Sequence, residues 1–404
     1  MKRKVFILSL LASLALAIDY FAETRNGYFD SKVYYGAIQY WFHGDGGMVY
    51  DWLRPGTPYG FTYPPFAGLV MAPMAVLPFG AVVVIAVIAT LLTTALLTWW
   101  FAGPLIKRMG WPVWYAFGIA CCLAVIFEPV RETITFGQVN TLLLTLVAGD
   151  MLLGVARGRR WAGVGIGLAT AVKLTPGVFI LYLLVTKRWR ASAVATGTAA
   201  AATLVGGAVF PDESREFWTS ALWDTNRVGV LSFLSNQSER GFLARLPIDR
   251  VESKVWLACV LVTLAFWVYR VRKEPADVLG GLALTGVVGC LVSPVTWIHH
   301  CVWLIPALVR CVDAGLSGRD RRPLYLAGAA FVLMTSHLAW LWEKAPRPPL
   351  YVLGGNLYVY FSLALLAWTP MGAPRPLTRP DTDTGGDVSG LSAAPGRVSS
   401  VNEP

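Results

Sequence analysis

Long apolar runs separated by short basic connectors constrain this chain more than any other feature. The run from Phe79 to Leu105 exceeds the ~20 residues a helix needs to cross a bilayer. Lys2-Arg3-Lys4, Lys107-Arg108, Arg157 to Arg160, Lys187-Arg188-Arg190, Arg270 to Lys273 and Arg319 to Arg322 all fall in connectors. The positive-inside rule assigns those connectors to the cytoplasmic side. Only 14% of the 404 residues are charged and 55% are hydrophobic, against about 25% charged in soluble domains. The chain therefore reads as an all-α polytopic membrane protein. Its formal net charge of +10 belongs to membrane topology, and no nucleic-acid partner is expected.

The most informative polar stretch is Gly27 to Phe66, wedged between apolar runs. It holds Asp30, Asp45 and Asp51 among tyrosines and tryptophans, with glycines and prolines at its turns. A connector that merely joined two helices needs only a few residues. Carboxylates beside aromatic faces suit sugars, whose C–H face packs on a ring while hydroxyls bond to carboxylate and amide.

In chain order, Met1 to Ala22 is a basic start followed by an apolar helix. Ala15-Leu16-Ala17 resembles a signal-peptidase site, but a retained helix puts every later connector on its proper side. Residues 23–64 then form a first external loop. Pro65 to Leu77 is too short to span and reads as an interfacial or re-entrant helix. After Phe79 to Leu105, Trp111 to Phe127 returns outward, and the EPVRETITFGQVN segment forms a polar external connector. Trp161 to Thr186 is flanked by basic residues at both ends and interrupted by Lys173-Leu174-Thr175-Pro176. Each half covers about 18 Å of helix, short for a full crossing, and Thr175 with Pro176 marks a new helix start. Residues 211–252 form a second external loop. About ten full transmembrane helices plus short broken or re-entrant helices are expected over residues 1–370, followed by a disordered cytoplasmic tail at 371–404.

Each polar constellation has a structural and a functional reading. Asp30 is either a capping aspartate or a general base held near a cavity. Asp45 and Asp51 lie in turn sequences. Phe61-Thr62-Tyr63-Pro64-Pro65-Phe66 is a rigid aromatic entry to the next helix. Gln138 and Asn140, and likewise Asn236 and Gln237, either complete helix ends or bond ligand hydroxyls. Asn236-Gln237-Ser238 also fits a glycosylation sequon. Lys173 either snorkels or meets an anion within the membrane, where ionisable residues mark function. His299 and His300 are neighbours on one helix, pointing about 100° apart, which makes them a poor pair of ligands for one metal. His43 and His337 read as structural. The six cysteines all lie in apolar runs without metal-ligand spacing, and no metal or other cofactor is expected. Walker, dinucleotide, zinc-protease and nucleophile-elbow motifs have no match.

These residues together resemble the multispanning, lipid-phosphate-sugar-dependent glycosyltransferases of the GT-C fold, most closely glycosyltransferase family 87. The resemblance extends over nearly all the chain to about residue 370, and its individual motifs gain weight from their order and membrane placement. It implies inverting transfer from a polyprenyl-phosphate sugar, usually mannose, to a glycolipid or glycan acceptor outside the bacterial cytoplasmic membrane. By position, Asp30 is the general base. The resemblance makes Lys173, His299 and His300 candidates for the donor phosphate. Tyr34, Tyr35 and Tyr63 join Gln138, Asn140, Asn236 and Gln237 as candidates for sugar or acceptor. Relatives with monophosphate donors generally work without an essential metal.

Three other readings stay open at the sequence level. An arabinofuranosyltransferase needs the same base, phosphate clamp and lipid groove. A lipid or glycan transporter also uses broken helices, but usually in matched repeats, and none is visible. A purely structural membrane partner leaves the carboxylate loop and the Lys173 break unexplained.

Overall fold

The apolar runs fold as helices because a backbone in lipid must bond within its own segment. The computed structural model describes residues 1–44, 47–224, 228–248, 252–343 and 348–372. Asp45 and the tail beyond Gly372 lie outside the described residues. Among the described residues the named elements are helical, and the one extended pairing is an isolated antiparallel bridge between Leu53 and Gly60.

Helix α1 (Lys2–Asn26) packs on α5 (Val113–Ile126), where Gly118 lies against Leu8 closely enough that a Cβ would stand 2.8 Å from its methyls. Between them in sequence come α2 (Phe29–His43), α3 (Pro65–Met71) with a 3-10 extension to Ala75, and α4 (Phe79–Arg108). The short α3 starts at Pro65, where a proline's missing N–H costs nothing. At Phe127 the backbone turns extended, and α6 (Glu128–Phe136) leaves α5 at 66°. Pro129 sits in the first turn of α6 and fixes that new start.

The second half of the scaffold begins with α7 (Asn140–Gly149), which runs on as a π turn from Asp150 to Val155. Asp150 then reaches forward to cap α8 (Val164–Val172), accepting from Gly163 N–H at 2.8 Å and Ile166 N–H at 3.0 Å. A carboxylate there also complements the positive end of the helix dipole. Helix α8 packs tightly on α10 (Trp189–Val209), because Gly167 lets Ala195 O approach to where a Cβ would be 2.5 Å away. Small residues provide such contacts where lipid removes the hydrophobic drive between helices. Between them, α9 (Val178–Val185) follows a 3-10 turn at Thr175–Gly177.

The main core centres on the helix Val278–Val292, which buries residues around its whole circumference, including Leu282, Leu284, Val287, Val288 and Leu291. A helix apolar on all sides belongs inside. A second, smaller core holds the first polar loop together: Val33, Ile38, Val49, Tyr50 and Phe61 cluster with Phe217 from the other large loop. The described residues between 27 and 66 thus form a packed cap in which Phe61 is wholly buried.

Five helices among the described residues are long and apolar enough to cross a membrane, or six if the bent α5–α6 pair counts as one span. The chain is a multi-pass membrane protein. The remaining apolar helices are 10–17 residues long, so about ten full-length spans do not follow from helix lengths. The polar connector after Phe127 is the helix Glu128–Phe136, with Glu128, Arg131 and Glu132 buried. One local expectation needs correction. Thr175 opens the 3-10 turn, but Leu174 occupies the capping position and no side chain caps it.

Candidate functional site

Asp30 owes its position to two left-handed residues. Gly27 and Tyr28 take φ of 55° and 53°, a region costly for a tyrosine. They are held there because Tyr28 N–H donates to Thr135 O at 2.9 Å and Asn26 Nδ2 to Thr135 Oγ1 at 2.8 Å. The first turn of α2, containing Asp30, is thereby fixed to the end of α6. Immediately after α6, Gly137 takes φ 71° and terminates the helix. Ser31 Oγ donates to Gly137 O at 3.1 Å. A Cβ at Gly137 would lie 1.9 Å from that hydroxyl, so glycine is required twice over, for its φ and for its size.

That turn delivers Gln138 to Asp30. Gln138 Nε2 donates to Asp30 Oδ2 at 2.7 Å, and its Oε1 accepts from Tyr63 OH at 3.2 Å. Tyr63 OH also lies 2.9 Å from Tyr34 OH and receives a long contact of 3.5 Å from Lys173 Nζ. One chain of hydrogen bonds thus joins Lys173 to Asp30.

Lys173 sits in the gap between α8 and α9 with extended backbone, φ −148° and ψ 127°. Its ammonium donates to Asn140 Oδ1 at 3.2 Å and stands 5.3 Å from the Tyr63 ring centroid. It also lies 2.9 Å from His300 Nε2, while His300 Nδ1 accepts from Trp297 N–H at 3.2 Å. With Nδ1 accepting, a neutral ring carries its proton on Nε2. The ammonium and the ring N–H are then two donors 2.9 Å apart with no acceptor between them, a pairing that an anionic oxygen bonded to both would relieve.

Asp30, Tyr34, Tyr63, Gln138, Lys173, His299 and His300 all face one cavity of ≈ 520 Å³. Burial raises the Asp30 carboxyl to about 6, against the opposing hydrogen bond from Gln138 and the charges of Lys173 and Arg54. Arg54 reaches this region by stacking on Phe29, 4.0 Å from the ring centroid. The carboxyl can therefore take a proton near neutral pH and is not locked in a tight ion pair. No group of three His, Cys, Asp or Glu side chains converges to hold a metal among the described residues.

Residues 61–294 match the sequence profile of glycosyltransferase family 87. The chain belongs to that family. A polyprenol-phosphate-mannose-dependent alpha-(1-2)-phosphatidylinositol pentamannoside mannosyltransferase of Mycolicibacterium smegmatis is 33% identical over 385 residues, with 90% of each chain covered. A polyprenol-phosphate-mannose-dependent alpha-(1-2)-phosphatidylinositol mannoside mannosyltransferase of Mycobacterium tuberculosis is 34% identical over 401 residues, with 89% of each covered. No solved structure matches the chain.

In this family 87 chain the structure gathers most of the sequence candidates and leaves four out of the cavity wall. Asn140 stands one layer behind, between Lys173 and His299 O, to which its Nδ2 donates at 3.2 Å. Tyr35 points to the other side of α2, donating to Leu77 O at 3.2 Å and packing edge-on against Phe79. Asn236 and Gln237 are scaffold amides, contrary to the sugar-binding expectation. Asn236 Nδ2 donates to Leu231 O and Pro294 O, and its Oδ1 accepts from Thr296 N–H and Ser238 Oγ. Gln237 Nε2 donates to Leu234 O and Gly355 O, while its Oε1 accepts from Tyr358 N–H. Their hydrogen-bonding capacity is used within the protein, and the buried Asn236 is no accessible sequon.

Other placements follow their structural readings. Asp51 Oδ2 accepts from Met48 N–H at 2.8 Å as a turn residue. His337 pairs with Glu128 at 2.7 Å and contacts Arg131. Glu132, Phe233 and Trp340 also line the cavity and were not singled out in the sequence. Glu128, Arg131 and Glu132 at i, i+3 and i+4 share one helix face, a signal that α6 carries a polar face inward.

Proposed function

We propose that this chain transfers mannose from polyprenyl-phosphate mannose to a phosphatidylinositol mannoside acceptor at the external face of the membrane, with inversion. The reading rests on family 87 membership and on the relatives' mannosyltransferase activity. The observation that carries it into chemistry is one cavity lined by both a half-buried carboxylate, Asp30, and the cation in the break between α8 and α9, Lys173.

In the proposed reaction the acceptor hydroxyl gives its proton to Asp30 as its oxygen bonds to the anomeric carbon. The bond from that carbon to the phosphate oxygen breaks on the opposite face, and its electron pair leaves with the polyprenyl phosphate. The ammonium of Lys173 and the N–H of His300 offset the charge that grows on that phosphate. Such stabilisation is strongest in a water-poor site with fixed donors. Tyr34 and Tyr63 supply hydroxyls to the sugar side, and membrane lipids surround the helices.

The topology belongs to the same proposal, with a GT-C arrangement over residues 1–370. Basic connectors face the cytoplasm, residues 23–64 and 211–252 face outward, and residues 371–404 form a cytoplasmic tail. Counting the bent pair and four of the short apolar helices, Asn140–Val155, Val278–Val292, Arg322–Thr335 and Leu357–Trp368, as crossings brings the total to ten, which requires local thinning or tilted packing at the short ones.

The test is transfer by purified protein in nanodiscs, with radiolabelled polyprenyl-phosphate mannose and a phosphatidylinositol mannoside fraction. Wild type should label a new glycolipid. Asp30→Asn should bind donor normally and lose about 10²–10⁴-fold in rate, the usual share of general-base catalysis. Absence of transfer by the wild type with mannose, but transfer from polyprenyl-phosphate arabinose, would replace the sugar in this reading.

A further inference from the structure

His299 differs from the other polar groups of the cavity. It is 5% exposed and faces the cavity, yet neither ring nitrogen has a hydrogen-bond partner among the described residues. Its neighbour His300 has contacts at both nitrogens. Buried polar groups are overwhelmingly paired, and an exception asks for a ligand.

The ring's placement is not accidental. Its backbone carbonyl accepts from Thr133 Oγ1 at 3.3 Å and Asn140 Nδ2 at 3.2 Å, while the imidazole packs against Phe136 and His300 at centroid distances of 5.5 and 4.7 Å. Elements on both sides therefore hold the ring against the cavity.

The chemistry of the open nitrogens separates two ligands. A neutral imidazole offers one donor and one acceptor. A phosphodiester has only acceptor oxygens, so it would engage the N–H and leave the other nitrogen bare. Protonating the ring to offer two donors would put a second cation beside Lys173 in a buried site, which is costly. Sugar hydroxyls both donate and accept, and so complete both nitrogens. Contact with His300, itself on Lys173, places the ring one residue from the proposed phosphate position, where the sugar bonded to that phosphate would lie.

We infer that His299 reads hydroxyl groups of the sugar carried by the donor, while the phosphate is held by Lys173 and His300. This rests on the reading that the cavity transfers a sugar from a lipid phosphate, and it reassigns His299 from the phosphate to the sugar.

The experiment measures binding of two ligands to the full chain in nanodiscs: polyprenyl-phosphate mannose and bare polyprenyl phosphate. His299→Phe keeps the ring's bulk and its packing, and His299→Leu serves as a second variant of different shape that likewise offers neither donor nor acceptor. Both should weaken the mannosylated donor about tenfold, one hydrogen bond's worth in a buried site, and leave bare polyprenyl phosphate within about twofold. Retained binding of the bare lipid also shows that the variants are folded. Lys173→Ala should weaken both ligands. Equal weakening of both ligands by the His299 variants would make it a phosphate residue and overturn the inference. Unchanged donor binding with a raised acceptor KM would assign it to the acceptor and overturn it too. A failure of wild type to transfer any sugar would instead strike the underlying function.

Discussion

Gln138 donates a 2.7 Å hydrogen bond to Asp30 across 108 positions of sequence, and the direction of that bond is fixed. Tyr63 OH donates to Gln138 Oε1, so the amide must turn its NH₂ toward the carboxylate. Lys173 in turn donates toward the Tyr63 oxygen. The donors all run one way, from the cation in the broken helix to the carboxylate at the start of α2. The carboxylate proposed as the base is thus linked to the same group that is proposed to meet the leaving phosphate.

The first consequence is a pH dependence. Burial holds the Asp30 carboxyl at about 6, and a general base works only when ionised. Transfer should therefore fall as pH drops through about 6 and level off above it. The Gln138 bond and the Lys173 charge both favour the ionised form. Gln138→Leu should accordingly move the acid limb of kcat/KM upward and lower its plateau. An unmoved limb in Gln138→Leu, with the wild-type limb intact, would separate Gln138 from the base.

Lys173→Ala removes the ammonium that contacts Asn140, Tyr63 and His300. A charge-assisted bond to phosphate is worth enough that donor affinity should fall about 10–100-fold. Donor titration by quenching of intrinsic tryptophan fluorescence reads this directly. Unchanged affinity would leave Lys173 with its protein partners alone.

How much of this was legible in the sequence depends on whether a residue's partners are local. The Lys173-Leu174-Thr175-Pro176 break was readable because a lysine and a proline interrupt an apolar run, and the structure shows extended backbone at Lys173. Asp30, Gln138 and Lys173 were individually visible as polar groups at membrane boundaries, but their shared cavity was not. Amide identity misled at Asn236 and Gln237, since an amide fits a backbone carbonyl as well as a sugar. The burial of α6 was hidden for a different reason. Charges usually mean solvent, whereas Glu128 receives Trp340 Nε1 at 2.9 Å and the Tyr358 hydroxyl, from 212 and 230 positions away. The number of spans was hard to read because hydropathy counts apolar runs, while prolines such as Pro129 and Pro176 set where helices begin.

Asn236 tests the distinction between scaffold and site. Its side chain links the 231–238 loop to Pro294 and Thr296, three residues and one residue upstream of Trp297 in the run leading to His299. Asn236→Ala strands buried backbone groups, which typically costs about 1–3 kcal/mol each. Thermal unfolding in detergent should therefore shift downward, while the folded fraction keeps its donor affinity. A selective loss of acceptor or donor binding at unchanged stability would return Asn236 to the binding site.

Gly137 offers the sharpest structural prediction. Its φ of 71° costs an L residue about 1–2 kcal/mol, and an added Cβ would lie 1.9 Å from Ser31 Oγ. Gly137→Ala should push α2 away from the end of α6, carrying Asp30 off Gln138, and so lower both thermal stability and turnover. The two penalties are separable. Ser31→Ala in the same background removes the hydroxyl but leaves the Ser31 Cβ, which would stand 2.9 Å from the new methyl. The double variant should recover part of the stability lost by Gly137→Ala, with the left-handed strain remaining. Such coupling is the signature of direct contact in a double-mutant cycle. Additive effects would mean that Gly137 acts through its backbone conformation alone, and that the Ser31 contact does not set the distance between Asp30 and Gln138.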